Sequence, residues 1–128
     1  MQSRVLLVDD EAAFREVVER QLTMEGFEVT CAGLGGEALA LMKKSQFDVV
    51  LLDYHMPDMD GVEVLQKMKE SNIRTRVVML TAETGLDKAI ETLKLGVDDY
   101  LTKPYFAKHL VACINRVLEK GVHQHNLK

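Results

Sequence analysis

Apolar residues along this chain gather into short solid blocks, separated by longer stretches in which they recur every three or four positions. The blocks are Val5-Leu6-Leu7-Val8, Val49-Val50-Leu51-Leu52 and Val77-Val78-Met79-Leu80. Each is continuous rather than alternating, as expected of parallel strands covered on both faces. Val29-Thr30-Cys31-Ala32 is more polar and predicts an edge strand, and Tyr100-Leu101, after Asp98-Asp99, predicts a short fifth strand. Between the blocks, Phe14, Val17, Val18 and Leu22 follow the spacing of one helical face. Leu86, Ala89, Ile90 and Leu93 carry the same periodicity, as do Phe106, Leu110, Ile114 and Val117. Ala38, Leu41 and Met42, then Val64, Leu65 and Met68, mark two shorter helices. Gly26, Gly96 and Gly121 fall just past helical stretches, where glycine closes a helix in the left-handed conformation at least cost.

Strand and helix in strict alternation predict one α/β domain, a doubly wound five-stranded parallel sheet with helices on both faces. No internal repeat, linker-like Pro/Ser run or low-complexity tract interrupts it. The expected domain is residues 1–120. Residues 121–128, with His123, His125 and Asn126, read as a flexible tail or the start of a linker. On this reading the chain contains no output domain, and whatever it controls is another protein or sequence beyond Lys128.

Composition narrows the classes. A chain of 128 residues is the size of one ordinary core. With 16 basic against 20 acidic side chains it is short of the basic face that phosphate-backbone binding needs. No run approaches the roughly 18 apolar residues of a membrane span, and Val5 to Val8 is too short for a signal peptide. Two cysteines, Cys31 and Cys113, are too few for a disulfide framework, so a reducing, cytoplasmic setting is expected.

The chemistry sits directly after the apolar blocks, where open parallel sheets bind ligands. Asp9, Asp10 and Glu11 follow the first predicted strand, Asp53 the third, Thr81-Ala82 the fourth, and Thr102-Lys103-Pro104 the fifth. Each has an ordinary reading too: Asp9 or Asp10 as a helix cap, Asp53 as a turn former, Thr81 as a strand end, Lys103 as a solvated charge. Their conjunction points elsewhere. Three carboxylates brought to one sheet edge repel unless a cation sits among them. Oxygen donors without His or Cys suit a hard ion, Mg²⁺ first. A carboxylate nucleophile facing a lysine and a hydroxyl is equipped for phosphoryl transfer. Gly33, Gly35 and Gly36 lack the spacing of a nucleotide fingerprint and read as a loop before the second helix.

With these residues in hand, the sequence resembles the receiver domain of two-component response regulators, of the chemotaxis-regulator type. The resemblance rests on four stretches in the family's order, Val5 to Glu11, Leu52 to Gly61, Leu80-Thr81-Ala82 and Asp99 to Pro104, and runs to about Lys120. It implies a flavodoxin-like sheet in the order 2-1-3-4-5 and a phosphorylation-activated switch rather than a conventional enzyme. It implies Asp53 as phosphoacceptor; Mg²⁺ held by Asp10, Asp53 and the His55 backbone carbonyl, with Asp9 acting through water; and Lys103 on the phosphoryl group, its bond to Pro104 cis. It implies that the Thr81 hydroxyl and the Tyr100 ring shift on phosphorylation and alter the surface of the fourth helix, fifth strand and fifth helix, through which a homodimer is also conceivable. The implied partners are a sensor histidine kinase or histidine phosphotransfer protein upstream, and an output domain or effector downstream. His55, Ala82 and Glu83 occupy positions that govern access to the acceptor. Haloacid-dehalogenase-like phosphatases fit less well, because their second acid is replaced here by His55 and no insertion is long enough for a cap. A phosphorylation-independent docking module is disfavoured by the intact acceptor set.

Overall fold

Strands made of continuous Val and Leu need apolar cover on two sides, and the fold supplies it. A computed structural model describes residues 2–81, 86–103, 105 and 107–126 of the chain, with the backbone alone at 86–89 and 120–126. The elements are β1 (Arg4–Val8), α1 (Ala12–Met24), β2 (Glu28–Ala32), α2 (Gly35–Lys44), β3 (Val49–Asp53), α3 (Gly61–Glu70), β4 (Arg76–Thr81), α4 (Leu86–Lys94), β5 (Asp99–Thr102) and α5 (Ala107–Asn126). All four strand pairings are parallel, and the sheet order is β2-β1-β3-β4-β5. This is the doubly wound topology expected from the sequence.

Alternate residues of each central strand enter opposite cores. Leu6, Val8, Val50, Leu52, Val77 and Met79 pack with Ala38, Leu39 and Met42 of α2 and Val64, Leu65 and Met68 of α3. Val5, Leu7, Val49, Leu51, Val78 and Leu80 pack with Val18 and Leu22 of α1 and Leu110, Ile114 and Val117 of α5. Each fully buried Leu or Val contributes about 1.5–3 kcal/mol, so both faces of every central strand are tied down. The outer strands β2 and β5 are only partly buried, as their more polar sequences require.

Helix ends follow the glycine signals in two cases and depart in one. Gly26 and Gly96 adopt φ of +95° and +96° after α1 and α4. Phe27 and Val97 then donate their N–H groups to the Leu22 and Thr92 carbonyls, closing the last turns. Asn72, at φ 58°, does the same after α3, where Ile73 N–H reaches Met68 O at 2.9 Å. Gly121, expected to end the last helix, lies inside α5, which runs on to Asn126. A glycine costs a helix about 1 kcal/mol but does not by itself stop one.

Three positions read as core-facing are exposed: Val17, Ile90 and Leu93. On α1 the contact is carried by Val18 and Leu22, and Val17 lies a 100° turn away from Val18. On α2, Leu39 is inside and Leu41 only partly covered, the reverse of the sequence expectation. Phe106 lies outside the described residues. No helix among the described residues is long and apolar enough to cross a membrane.

Leu51→Ala is expected to lower the free energy of unfolding by about 2–5 kcal/mol, while Leu93→Ala stays within about 0.5 kcal/mol. Urea denaturation followed by circular dichroism measures both.

Candidate functional site

Because every strand runs the same way, all their carboxyl ends open on one edge. Strand order reverses between β1 and β3, whose ends flank the crevice there. Asp9 directly follows β1, Asp53 is the last residue of β3, Thr81 the last of β4, and Lys103 directly follows β5. The Lys103 N–H donates to the Thr81 carbonyl at 2.8 Å, which fixes the backbone from which the ammonium is cast.

That ammonium is the centre of the site. Lys103 Nζ donates to Asp9 Oδ2 at 2.9 Å and lies 3.6 Å from Asp53 Oδ2. It also stands 4.5 Å over the Phe14 ring centroid, an attractive cation–π distance. Tyr105 meets that ring edge-on, with centroids 5.9 Å apart. The Tyr105 hydroxyl is buried and has no hydrogen-bond partner, and burial together with the Asp9 and Asp53 charges pushes its pKa above the ordinary tyrosine range. Burial works against the Lys103 charge. The hydrogen bond to Asp9 and the charges of Asp53 and Asp9 outweigh it and hold the ammonium above its ordinary range.

Asp9 is fully buried, yet its groups are satisfied. Its Oδ1 accepts the Glu11 N–H at 2.9 Å, and its carbonyl accepts Arg15 Nη1 at 2.5 Å. Asp10 is exposed beside it, and one carboxylate oxygen from each of Asp9, Asp10 and Asp53 lies within 4.8 Å of the others. Burial pushes the Asp53 carboxyl up to about 6, and the Asp9 and Asp10 charges add to this, while Lys103 and the His55 backbone N–H draw it down.

Three carboxylates with one ammonium among them leave an excess of negative charge in a partly dry pocket. Their donors are all oxygen. Both features fit a hard divalent cation such as Mg²⁺.

The structure thus brings Asp9, Asp10, Asp53 and Lys103 together and sets Thr81, almost fully buried, on the adjoining strand end. The His55 imidazole is exposed and meets the Tyr54 ring edge-on at 4.9 Å. Tyr100 stands apart from this cluster, opposite Met79 in the β4–β5 register and packed on the core under α2 and α3. Ala82, Glu83 and Pro104 lie outside the described residues. Sequence reasoning took Phe14 for a core residue and passed over Arg15. Only an aromatic four residues after Asp10 hinted at the first, and nothing local marked the second.

A family model for the response regulator receiver domain matches residues 5–115. The chain belongs to this family. It is 36% identical over 118 residues to the cell cycle response regulator CtrA of Brucella ovis, an alignment covering 92% of this chain and 51% of that protein. The chain therefore spans about half the length of the curated relatives it matches. A response regulator receiver domain protein from Clostridium thermocellum superimposes with a TM-score of 0.88 at 30% identity, over 95% of this chain and 98% of that one. The chemotaxis response regulator CheY4 of Vibrio cholerae gives a TM-score of 0.83 at 36% identity, over 91% and 99%. This receiver domain is a regulatory unit of two-component signalling, with an acidic cluster suited to Mg²⁺ where the family binds that ion.

The raised Asp53 carboxyl makes a stability prediction for the metal-free protein. Folding favours its protonated form, so between the ordinary value of 3.8 and about 6 stability falls as pH rises. Asp53→Asn removes this penalty and is expected to gain about 3 kcal/mol at pH 7.5 and nothing at pH 3.5, since each pKa unit is worth ~1.4 kcal/mol. Urea titrations of both proteins in chelator, at the two pH values, measure the difference.

Proposed function

We propose that this receiver domain accepts a phosphoryl group on Asp53 from the phosphohistidine of a sensor histidine kinase or a histidine phosphotransfer protein. The observation that carries this reading is the Lys103 ammonium held between Asp9 and Asp53 at the sheet's crevice. An Asp53 oxygen attacks phosphorus, the donor's P–N bond breaks, and the electron pair leaves with the imidazole, which takes up a proton. With its carboxyl near 6, Asp53 is ionised and nucleophilic at neutral pH. Lys103 is within a short swing of the new phosphoryl oxygens, and its charge offsets theirs.

Asp10, Asp53 and the His55 backbone carbonyl are the proposed ligands of Mg²⁺, with Asp9 joining through water. When bound, the ion neutralises charge on the transferring oxygens. Thr81 supplies its hydroxyl to a phosphoryl oxygen, and Tyr100 follows into the space this leaves. Those differential contacts bias the surface of α4, β5 and α5 between two states. That surface then meets an output domain, an effector or a second copy of the chain. The domain is read as residues 1–120, acting in the cytoplasm, with 121–128 as a tail or the start of a linker. Labelling stops at one phosphoryl group per chain and is not turnover of a substrate.

Incubation with Mg²⁺ and a small-molecule phosphodonor is expected to add one phosphoryl group to the intact mass. The adduct should disappear in Asp53→Ala and form more slowly in Lys103→Met. An equal adduct on Asp53→Ala would overturn the assignment of the acceptor.

A further inference from the structure

The first turn of α2 has no cap of its own. Leu34 stands at the N-cap position in extended conformation, and its side chain accepts no hydrogen bond. A carboxylate from far along the chain serves instead. Asp58 Oδ1 accepts the Gly35 N–H and Asp58 Oδ2 the Gly36 N–H, each at 2.9 Å. The Gly36 and Gly35 bonds hold the Asp58 carboxyl below its ordinary range, and the positive end of the helix dipole favours an anion there. The approach is close enough to demand glycine, since a Cβ on Gly35 would stand 2.5 Å from Met59 Cγ and 3.1 Å from Val64 Cγ2.

Asp58 belongs to residues 54–60, the same loop that carries His55. The ends of that loop are pinned by Tyr54 N–H to Leu80 O at 2.9 Å and Gly61 N–H to Tyr54 O at 2.8 Å. Asp60 then caps α3 reciprocally with Glu63. Met56 and Met59 rest on the apolar core. Between these anchors the His55 backbone N–H lies close enough to the Asp53 carboxylate to draw its pKa down. The Asp58 bonds tie the middle of the loop to α2, an element outside the loop's own β3–α3 unit.

We propose that Asp58 is a positioning residue of the phosphoacceptor site: by clamping the first turn of α2 it fixes the loop that sets the His55 backbone against Asp53. It thereby sets where the His55 carbonyl stands, which rests on the reading of that carbonyl as a metal ligand. The competing role is a helix cap and nothing more, and one added substitution separates the two. Leu34→Asp gives α2 a local cap while leaving the loop untied.

The test compares the full chain, Asp58→Ala, and the double variant Leu34→Asp/Asp58→Ala. The readouts are melting temperature, amide hydrogen exchange at His55 without metal, and the Mg²⁺ dissociation constant by calorimetry. Asp58→Ala is expected to lower the melting temperature, speed His55 exchange about 10-fold and weaken Mg²⁺ binding about 10-fold, the usual scale for losing a partner that orients a ligand. The double variant should recover the melting temperature and neither of the other two. Unchanged His55 exchange in Asp58→Ala, or its recovery in the double variant, would reduce Asp58 to a helix cap. Failure of the wild type to bind Mg²⁺ or to take a phosphoryl group would instead sink the functional reading, and His55 exchange would still decide the clamp.

Discussion

Keeping like charges together at the end of dry strands is the constraint on which this structure turns. Asp9 is wholly buried and Asp53 nearly so, and both sit within one hydrogen-bond radius or little more of the same ammonium. In such surroundings an unmatched carboxylate is costly, and the fold answers by surrounding each one with donors from separate elements. Glu11 N–H at the α1 start, Lys103 beyond β5 and the His55 amide beyond β3 serve the two carboxylates, while Arg15 takes up the Asp9 backbone carbonyl. None of these donors is near the others in sequence beyond Glu11 and Arg15. The parallel topology is what delivers them to one edge.

That dependence explains what the sequence made readable. Strands β1, β3 and β4 announced themselves because residues buried on both faces must be apolar without interruption, and the edge strands because theirs need not be. Strand ends were then fixed, and with them Asp9, Asp53, Thr81 and Lys103. Helix faces were less legible. Val17 and Leu41 satisfy the helical period, but which flank of a stripe meets the sheet depends on packing that no local pattern states. Phe14, Arg15 and Asp58 were hidden for a further reason. Each acts on a partner reached through the fold: Phe14 on Lys103, Arg15 on the Asp9 carbonyl across the turn into α1, Asp58 on α2. A helix whose N-cap is Leu34 looks merely uncapped until the loop that caps it is folded against it.

The glycines tell the same story from the opposite side. Gly33, Gly35 and Gly36 did not form a nucleotide fingerprint, and their use is mutual approach of backbone segments. Gly33 leaves room for the Arg15 guanidinium, which a Cβ would meet at 3.0 Å, and Gly35 leaves room for Met59. Two of the site's supports therefore converge on the turn from β2 into α2. The loop reading holds for Gly33 alone: Gly35 and Gly36 open α2, because the Asp58 carboxylate takes up their N–H groups.

The site also has a floor and a mouth. Asp9 has no exposure and Phe14 with Tyr105 walls the Lys103 side, whereas Asp10 and the His55 ring face solvent. Among the described residues, Asp10 and the His55 ring mark an open gate to the buried acids. In the proposed reaction the phosphodonor and the water that later hydrolyses the acyl phosphate share that gate. The lifetime of the signal then becomes a property of the mouth rather than of the reacting groups. A receiver domain can keep its acceptor chemistry fixed and still run fast or slow, according to which side chains stand at the rim.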